Sequence, residues 1–188
     1  MKNIILIVSA VIVFLVAGFQ IAQGDDDEGE YEGKGSLFQK TPDVAAVHNQ
    51  TYVDECASCH MAYPPGLLPA RSWQTLMDGL SNHFGDNAEL DPVTAAEVTR
   101  YLVDNSADKS NYRRSKKIMR RLDSKTVPLR ITELSYIQKK HDEIPQRFIK
   151  TNKQVGSLSN CIACHQGAEK GSFSERDIRI PSYGRWDD

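Results

Sequence analysis

Cys56-Ala57-Ser58-Cys59-His60 and Cys161-Ile162-Ala163-Cys164-His165 are the two stretches from which the rest of this chain must be read. Between them they use all four cysteines of a 188-residue sequence. Two thiols three positions apart lie on one side of a helical turn, where both can form thioethers to the vinyl groups of one porphyrin. The next residue then presents an imidazole to the iron from the same side, and neutral imidazole is a strong nitrogen donor. A redox disulfide would not call for a histidine after both pairs, and neither would a four-cysteine zinc site. Two covalently bound haem c groups are therefore expected, held by Cys56 and Cys59 and by Cys161 and Cys164, with His60 and His165 as the first axial ligands.

The sixth ligands come from elsewhere. Only 23 residues follow His165, and none is Met or His, so the second iron must be closed from upstream or stay open. The chain is thus not a tandem pair of small Met-ligated cytochromes. Three histidines lie outside the motifs: His48, His83 and His141. His83 lies 23 residues after His60 and shares an apolar helical face with Trp73, Leu76, Met77 and Leu80. His141 lies 24 residues before His165 and follows Lys139-Lys140, which leaves a surface role open. His48, eight residues before the first motif, reads as a surface turn. Met77 and Met119 remain rival ligands, whereas Met61 adjoins His60 and cannot reach the opposite ring face.

The N-terminus begins Met1-Lys2-Asn3 and continues as an apolar run from Ile4 to Phe19. One basic residue before a short apolar stretch is a secretory signal pattern, with small residues around Ala22-Gln23-Gly24 for cleavage. The run is somewhat short for the roughly 20 residues of a spanning helix, though an uncleaved anchor is the alternative. Either reading puts Asp25 onward outside the cytoplasmic membrane, in the periplasm, because Lys2 stays inside. The membrane is a partner only if the segment is retained. Residues 25–42 are acidic at their start and lack apolar period, as a disordered leader would. The formal net charge of −2 gives no global attraction to nucleic acid.

Helices are expected over 53–60, over 72–84 with Ser72 as cap and Gly85 as stop, and from Asp91-Pro92 onward. The polar run 104–111 reads as a boundary. A basic stretch follows, from Arg113 to Lys125, with Ile118 and Leu122 inside it and a solvated cationic face as the default reading. Thr132 is a candidate cap for a helix running toward His141, limited by Pro145. No clear strand stands out.

Taken with Trp73 to Gly85, Leu90-Asp91-Pro92, Tyr101-Leu102, Ile131-Thr132-Glu133, Gly156 to His165 and Gly171 to Glu175, the sequence resembles the small exported dihaem cytochromes c from about Tyr52 to Pro181. The asparagine just before Cys161 adds to that likeness. The resemblance implies a mainly α fold: a class I cytochrome c-like N-terminal haem domain (43–108) and an irregular, mostly helical C-terminal haem domain (109–188). It implies bis-histidine irons with His83 and His141 as distal ligands. It also implies electron exchange with a membrane cytochrome b and other c-type haem proteins.

Two function classes follow. Closed, six-coordinate irons suit an electron carrier. One open iron would suit a haem enzyme such as a peroxidase or small-molecule reductase, for which the chain has little spare length.

Overall fold

The computed structural model describes residues 41–186. The signal or anchor segment 1–24 and nearly all of the leader 25–42 lie outside the described residues. The family of elements is mostly helical, joined by short turns.

Asn49 starts the first helix, its side-chain oxygen accepting from Tyr52 N at 2.6 Å. Such a cap satisfies one of the orphan donors at a helix N-terminus. Helix α1 spans Gln50–Cys56, three residues earlier than the 53–60 reading, so the first cysteine closes the helix and His60 lies beyond it. Tyr52 is its buried anchor and donates through its hydroxyl to Tyr63 O at 3.0 Å.

Helix α2 spans Ala70–Asp78 rather than 72–84. Pro69 sets the extended entry three residues ahead of Ser72, so Ser72 is an interior residue, fully buried, and not the cap. The cap comes from far along the chain: Asp108 Oδ1 accepts from Ala70 N at 2.8 Å. Gly79, a poor helix former, ends α2 early. A 3₁₀ turn at Leu80–Asn82 then carries the chain to His83. The Asp91-Pro92 reading holds closely. Helix α3 spans Pro92–Asp104, and Asp91 accepts from Val93 N and Thr94 N. Val98 and Leu102, four apart, are its buried stripe against α2.

Helix α4 spans Arg113–Arg121. Its basic face is only partly solvated. Arg113, Lys116 and Arg120 are exposed, but Arg114 turns inward beside the buried Ser115 and Ile118. Ile131–Glu133 forms a 3₁₀ turn, and helix α5 spans Ser135–Lys139 with Leu134 at its cap position, so Thr132 does not cap it. After the second motif the chain forms a two-residue hairpin: β1 (Arg179–Ile180) pairs antiparallel with β2 (Gly184–Arg185). The reversal places Ser182 and Gly184 at positive φ.

One hydrophobic cluster joins residues of both motif-bearing segments, among them Tyr52, Leu67, Trp73, Leu102, Ile118 and Phe173. Hydrogen bonds cross the same seam. Asp43 N and Val44 N donate to Gly171 O at 2.9 and 3.1 Å, and Phe173 N donates to Asp43 Oδ2 at 2.7 Å. Ser115 Oγ, buried in α4, donates to Gly66 O at 2.7 Å. Ala107, in the polar run read as a boundary, donates to Leu68 O at 2.8 Å. Among the described residues no helix is long and apolar enough to cross a membrane.

Candidate haem centres

The first centre is built where α1 ends. Cys56 is half-buried at the helix terminus, and Cys59 is exposed on the following turn. His60 Nδ1 lies 2.7 Å from Met61 O. A carbonyl only accepts, so Nδ1 carries the proton and Nε2 keeps a free lone pair, as a metal-binding imidazole requires. The Tyr63 ring stacks on His60, with centroids 4.9 Å apart and planes at 25°.

His83 arrives from the other side. It follows the 3₁₀ turn and is locked by a two-way backbone bridge: His83 N to Asp86 O at 2.7 Å and Asp86 N to His83 O at 3.3 Å. Phe84, next in the chain, is held at φ 59°, a conformation that a bulky residue rarely adopts. Its ring meets His83 edge-on at 4.8 Å and carries the Arg130 guanidinium 3.8 Å above its centroid. Burial, then the neighbouring His60 and Arg130, push the His83 pKa below the ordinary imidazole value, which favours the neutral form.

The second centre is more enclosed. Cys161–Ala163 forms a 3₁₀ turn. Asn160, the residue singled out before the motif, braces it by donating to Val155 O at 3.2 Å. Arg179 N donates to Cys164 O at 3.0 Å, so the start of the hairpin pairs with the motif backbone. His141 follows α5 and sets its Nδ1 2.7 Å from Ile137 O, the same tautomer-fixing contact that His60 makes. His165 packs edge-on to Phe173 at 5.4 Å. Burial, then His141 and Arg114, push its pKa down to about 4, so the ring is neutral at ordinary pH. A largely apolar cavity opens here, with Ile131, Ile144, Phe148 and Ile178 among its walls and His141 and His165 both on its surface.

The imidazoles come together as two pairs. His60 and His83 have ring centroids 6.2 Å apart, and His141 and His165 have theirs 6.0 Å apart. A first-row metal–imidazole nitrogen bond is about 2.0 Å, and the nitrogen lies about 1.1 Å from its ring centroid, so two imidazoles facing each other across one ion sit about 6.2 Å apart. Each motif thus meets its nearer histidine, without exchange between segments. His48 is exposed, its backbone N donating to Tyr101 Oη at 3.1 Å.

The thiols fit the same picture. Burial, then Glu55, push the Cys56 thiol up to about 11, and burial pushes Cys161 up to about 11 and raises Cys164. These are apolar settings for a neutral thioether. Among the described residues no three of His, Cys, Asp or Glu gather round one point, so the four thiols do not form a tetrahedral zinc site. Two polar atoms on the second cavity's lining residues are buried without a hydrogen-bond partner: His165 Nδ1 and Arg114 Nε. The residues present therefore fit a covalently attached porphyrin at each centre, with imidazole on both faces. The charged and orphaned groups of the second cavity are what sequence reading missed. Arg114 was hidden in a run of surface cations, and nothing local marks it as inward.

Comparison with known proteins points to the same prosthetic group. The family described as dihaem cytochrome c matches residues 52–173. A dihaem cytochrome c from Shewanella baltica, solved by X-ray crystallography, shares 45% identity, covers 74% of this chain and 98% of its own, and superposes with a TM-score of 0.62. A dihaem cytochrome c from Rhodobacter sphaeroides shares 45% identity over 69% of this chain and 100% of its own, with a TM-score of 0.62. No curated protein matches the sequence.

Proposed function

This chain belongs to the dihaem cytochrome c family, and on that premise we propose that it is an electron carrier whose two irons are each closed by two histidines. Family membership brings two covalently attached haem c groups. Cys56 and Cys59 hold one and Cys161 and Cys164 the other. His60 and His165 are the ligands from the motifs, and His83 and His141 are the ligands from the opposite faces.

The observation that carries this reading is the pair of imidazole separations, 6.2 and 6.0 Å, each suited to one ion between two rings. The bound haem supplies a one-electron iron couple. The chain's own residues do the rest. Met61 O and Ile137 O hold the His60 and His141 rings with Nε2 free to bind. The His83–Asp86 bridge keeps His83 in place against loss to solvent. With both axial positions taken, neither iron has a site for substrate, and exchange through an exposed porphyrin edge is the remaining chemistry. Two imidazoles also donate more to ferric iron than a His/Met pair, so both centres work at lower potential than a Met-ligated cytochrome c.

The carrier works outside the cytoplasmic membrane, a placement supported by Lys2 and the apolar run after it. Its partners are haem proteins: a membrane cytochrome b on one side and other c-type cytochromes on the other. The exposed Arg113, Lys116 and Arg120 on α4 suit an acidic docking face.

Haem content, electron paramagnetic resonance and carbon monoxide binding test the reading together. Two haems per chain, both low-spin and both inert to carbon monoxide when reduced, are expected. His83→Ala should open only the first iron and His141→Ala only the second. A high-spin iron in the unaltered protein would favour the enzyme reading. If His141→Ala leaves both irons low-spin, another residue closes the second centre.

A further inference from the structure

The second cavity contains a charge that the ligand set does not explain. Of its lining residues only Arg114, Lys140 and Glu175 carry a formal charge. Lys140 and Glu175 are joined at 3.1 Å, so they neutralise each other. Arg114 is the remaining cation, with its side chain only 17% exposed. Its terminal nitrogens are engaged: Nη1 donates to Tyr136 Oη at 3.2 Å, and Nη2 donates to Phe173 O at 3.3 Å and lies 3.4 Å from Asp43 Oδ1. The guanidinium also lies over the Tyr136 and Phe173 rings, at 5.9 and 5.6 Å from their centroids. Its Nε–H is buried and has no partner.

A buried, charged donor without an acceptor is costly, because it has lost its water and gained nothing in return. Native proteins rarely leave such a group unmatched. A porphyrin of haem c carries two carboxylates at one edge. An otherwise apolar cavity that takes in such a group needs a cation for them, and guanidinium is the side chain best matched to a carboxylate. We propose that Arg114 receives a carboxylate of the second haem through its Nε–H and, by its charge, keeps that haem easier to reduce. Asp43 acts on the same group from behind, since it draws on the Arg114 charge without lining the cavity. The inference rests on a haem lying between His141 and His165.

Potentiometric titration of the haem-loaded protein tests it, with each haem followed by its own paramagnetic signal. At the potential that half-reduces the second haem of the unaltered protein, Arg114→Gln should lower its reduced-to-oxidised ratio about tenfold. That is about 59 mV for a one-electron couple. The first haem should not move, and Arg114→Lys should restore most of the ratio. Asp43→Asn should raise the ratio, because it frees the Arg114 charge. Purely structural loosening would push both variants the same way, and that result, or no change in either, overturns the proposal. Should Arg114→Gln not retain its haems, the haem-carboxylate band of Arg114→Lys decides instead. Infrared difference spectra with isotope-labelled haem carboxylates add a direct readout. The labelled stretch should shift in Arg114→Lys, and an unmoved band overturns the contact. A second iron that is high-spin in the unaltered protein would instead refute the histidine ligation, whatever Arg114 does.

Discussion

Gly171→Ala should be among the most damaging single-methyl additions in this chain, and its cost can be worked from the seam it occupies. Gly171 sits at φ +74°, just after the 3₁₀ turn Ala168–Lys170. Adopting that left-handed conformation costs a residue with a Cβ about 1–2 kcal/mol. A Cβ there would also collide with the Val44 carbonyl oxygen, and would stand 3.1 Å from Val44 C and 3.2 Å from Ala46 N. These neighbours are backbone, so relief means moving the strand of chain that donates Asp43 N–H and Val44 N–H to Gly171 O. Losing those two bonds costs about 1 kcal/mol each. The total is about 3–4 kcal/mol. Gly156→Ala is the control: φ is +72° and nothing lies within 4 Å of its Cβ position, so only the conformational cost of about 1–2 kcal/mol applies. Urea unfolding of the haem-loaded proteins, followed by far-ultraviolet circular dichroism, should separate the two variants by about 2 kcal/mol, or about 4–8 °C in Tm. Equal destabilisation would refute the reasoning, because it would mean that the contact of Gly171 with residues 43–46 contributes nothing.

Ser115→Ala should cost about 1–2 kcal/mol in the same assay, since it leaves the buried Gly66 carbonyl without its donor at 2.7 Å. Asp108→Ala should cost about 1 kcal/mol at neutral pH by uncapping α2. Burial raises the Asp108 pKa, but the Ala70 N–H, Ser106 and Arg71 outweigh it and hold the carboxyl below its ordinary value. A depressed folded pKa means that the stabilisation is present above the unfolded value near about 3.9 and fades as pH falls through the folded one. The gap between Asp108→Ala and the unaltered protein should therefore narrow in acid, and a gap that widens there would count against the cap. Reversing Arg113, Lys116 and Arg120 to Glu should slow electron transfer to an acidic partner at low salt and converge with the unaltered protein at high salt. Rates unchanged at every ionic strength would remove α4 as a docking face.

What the sequence alone determined is the chemistry that depends on short spacing. Two thiols and an imidazole within five residues carry their meaning in covalent reach, and no tertiary context is needed to read them. The same holds for Asp91-Pro92, where a capping carboxylate and a donor-less first residue start α3 by local physics. Local signals misled where a distant residue took over the local job. Ser72 has the right chemistry for a cap, yet Pro69 starts α2 before it and the capping oxygen comes from Asp108, 38 residues away. His83 looked like a residue of an apolar helical face, but Gly79 ended that helix and a backbone bridge to Asp86 now holds the ring. Only the tertiary structure decided which histidine faces which. The pairs His60–His83 and His141–His165 form because α2 and α5 bring separate stretches to their own motifs. It also decided the fate of Arg114. Arg114, one of six cations between Arg113 and Arg121, turns inward because Asp43, Tyr136 and Phe173 wait there, and those partners lie 71, 22 and 59 residues away in the chain. Periodicity cannot report a partner at that distance, since burial of a charge depends on what the fold places opposite it.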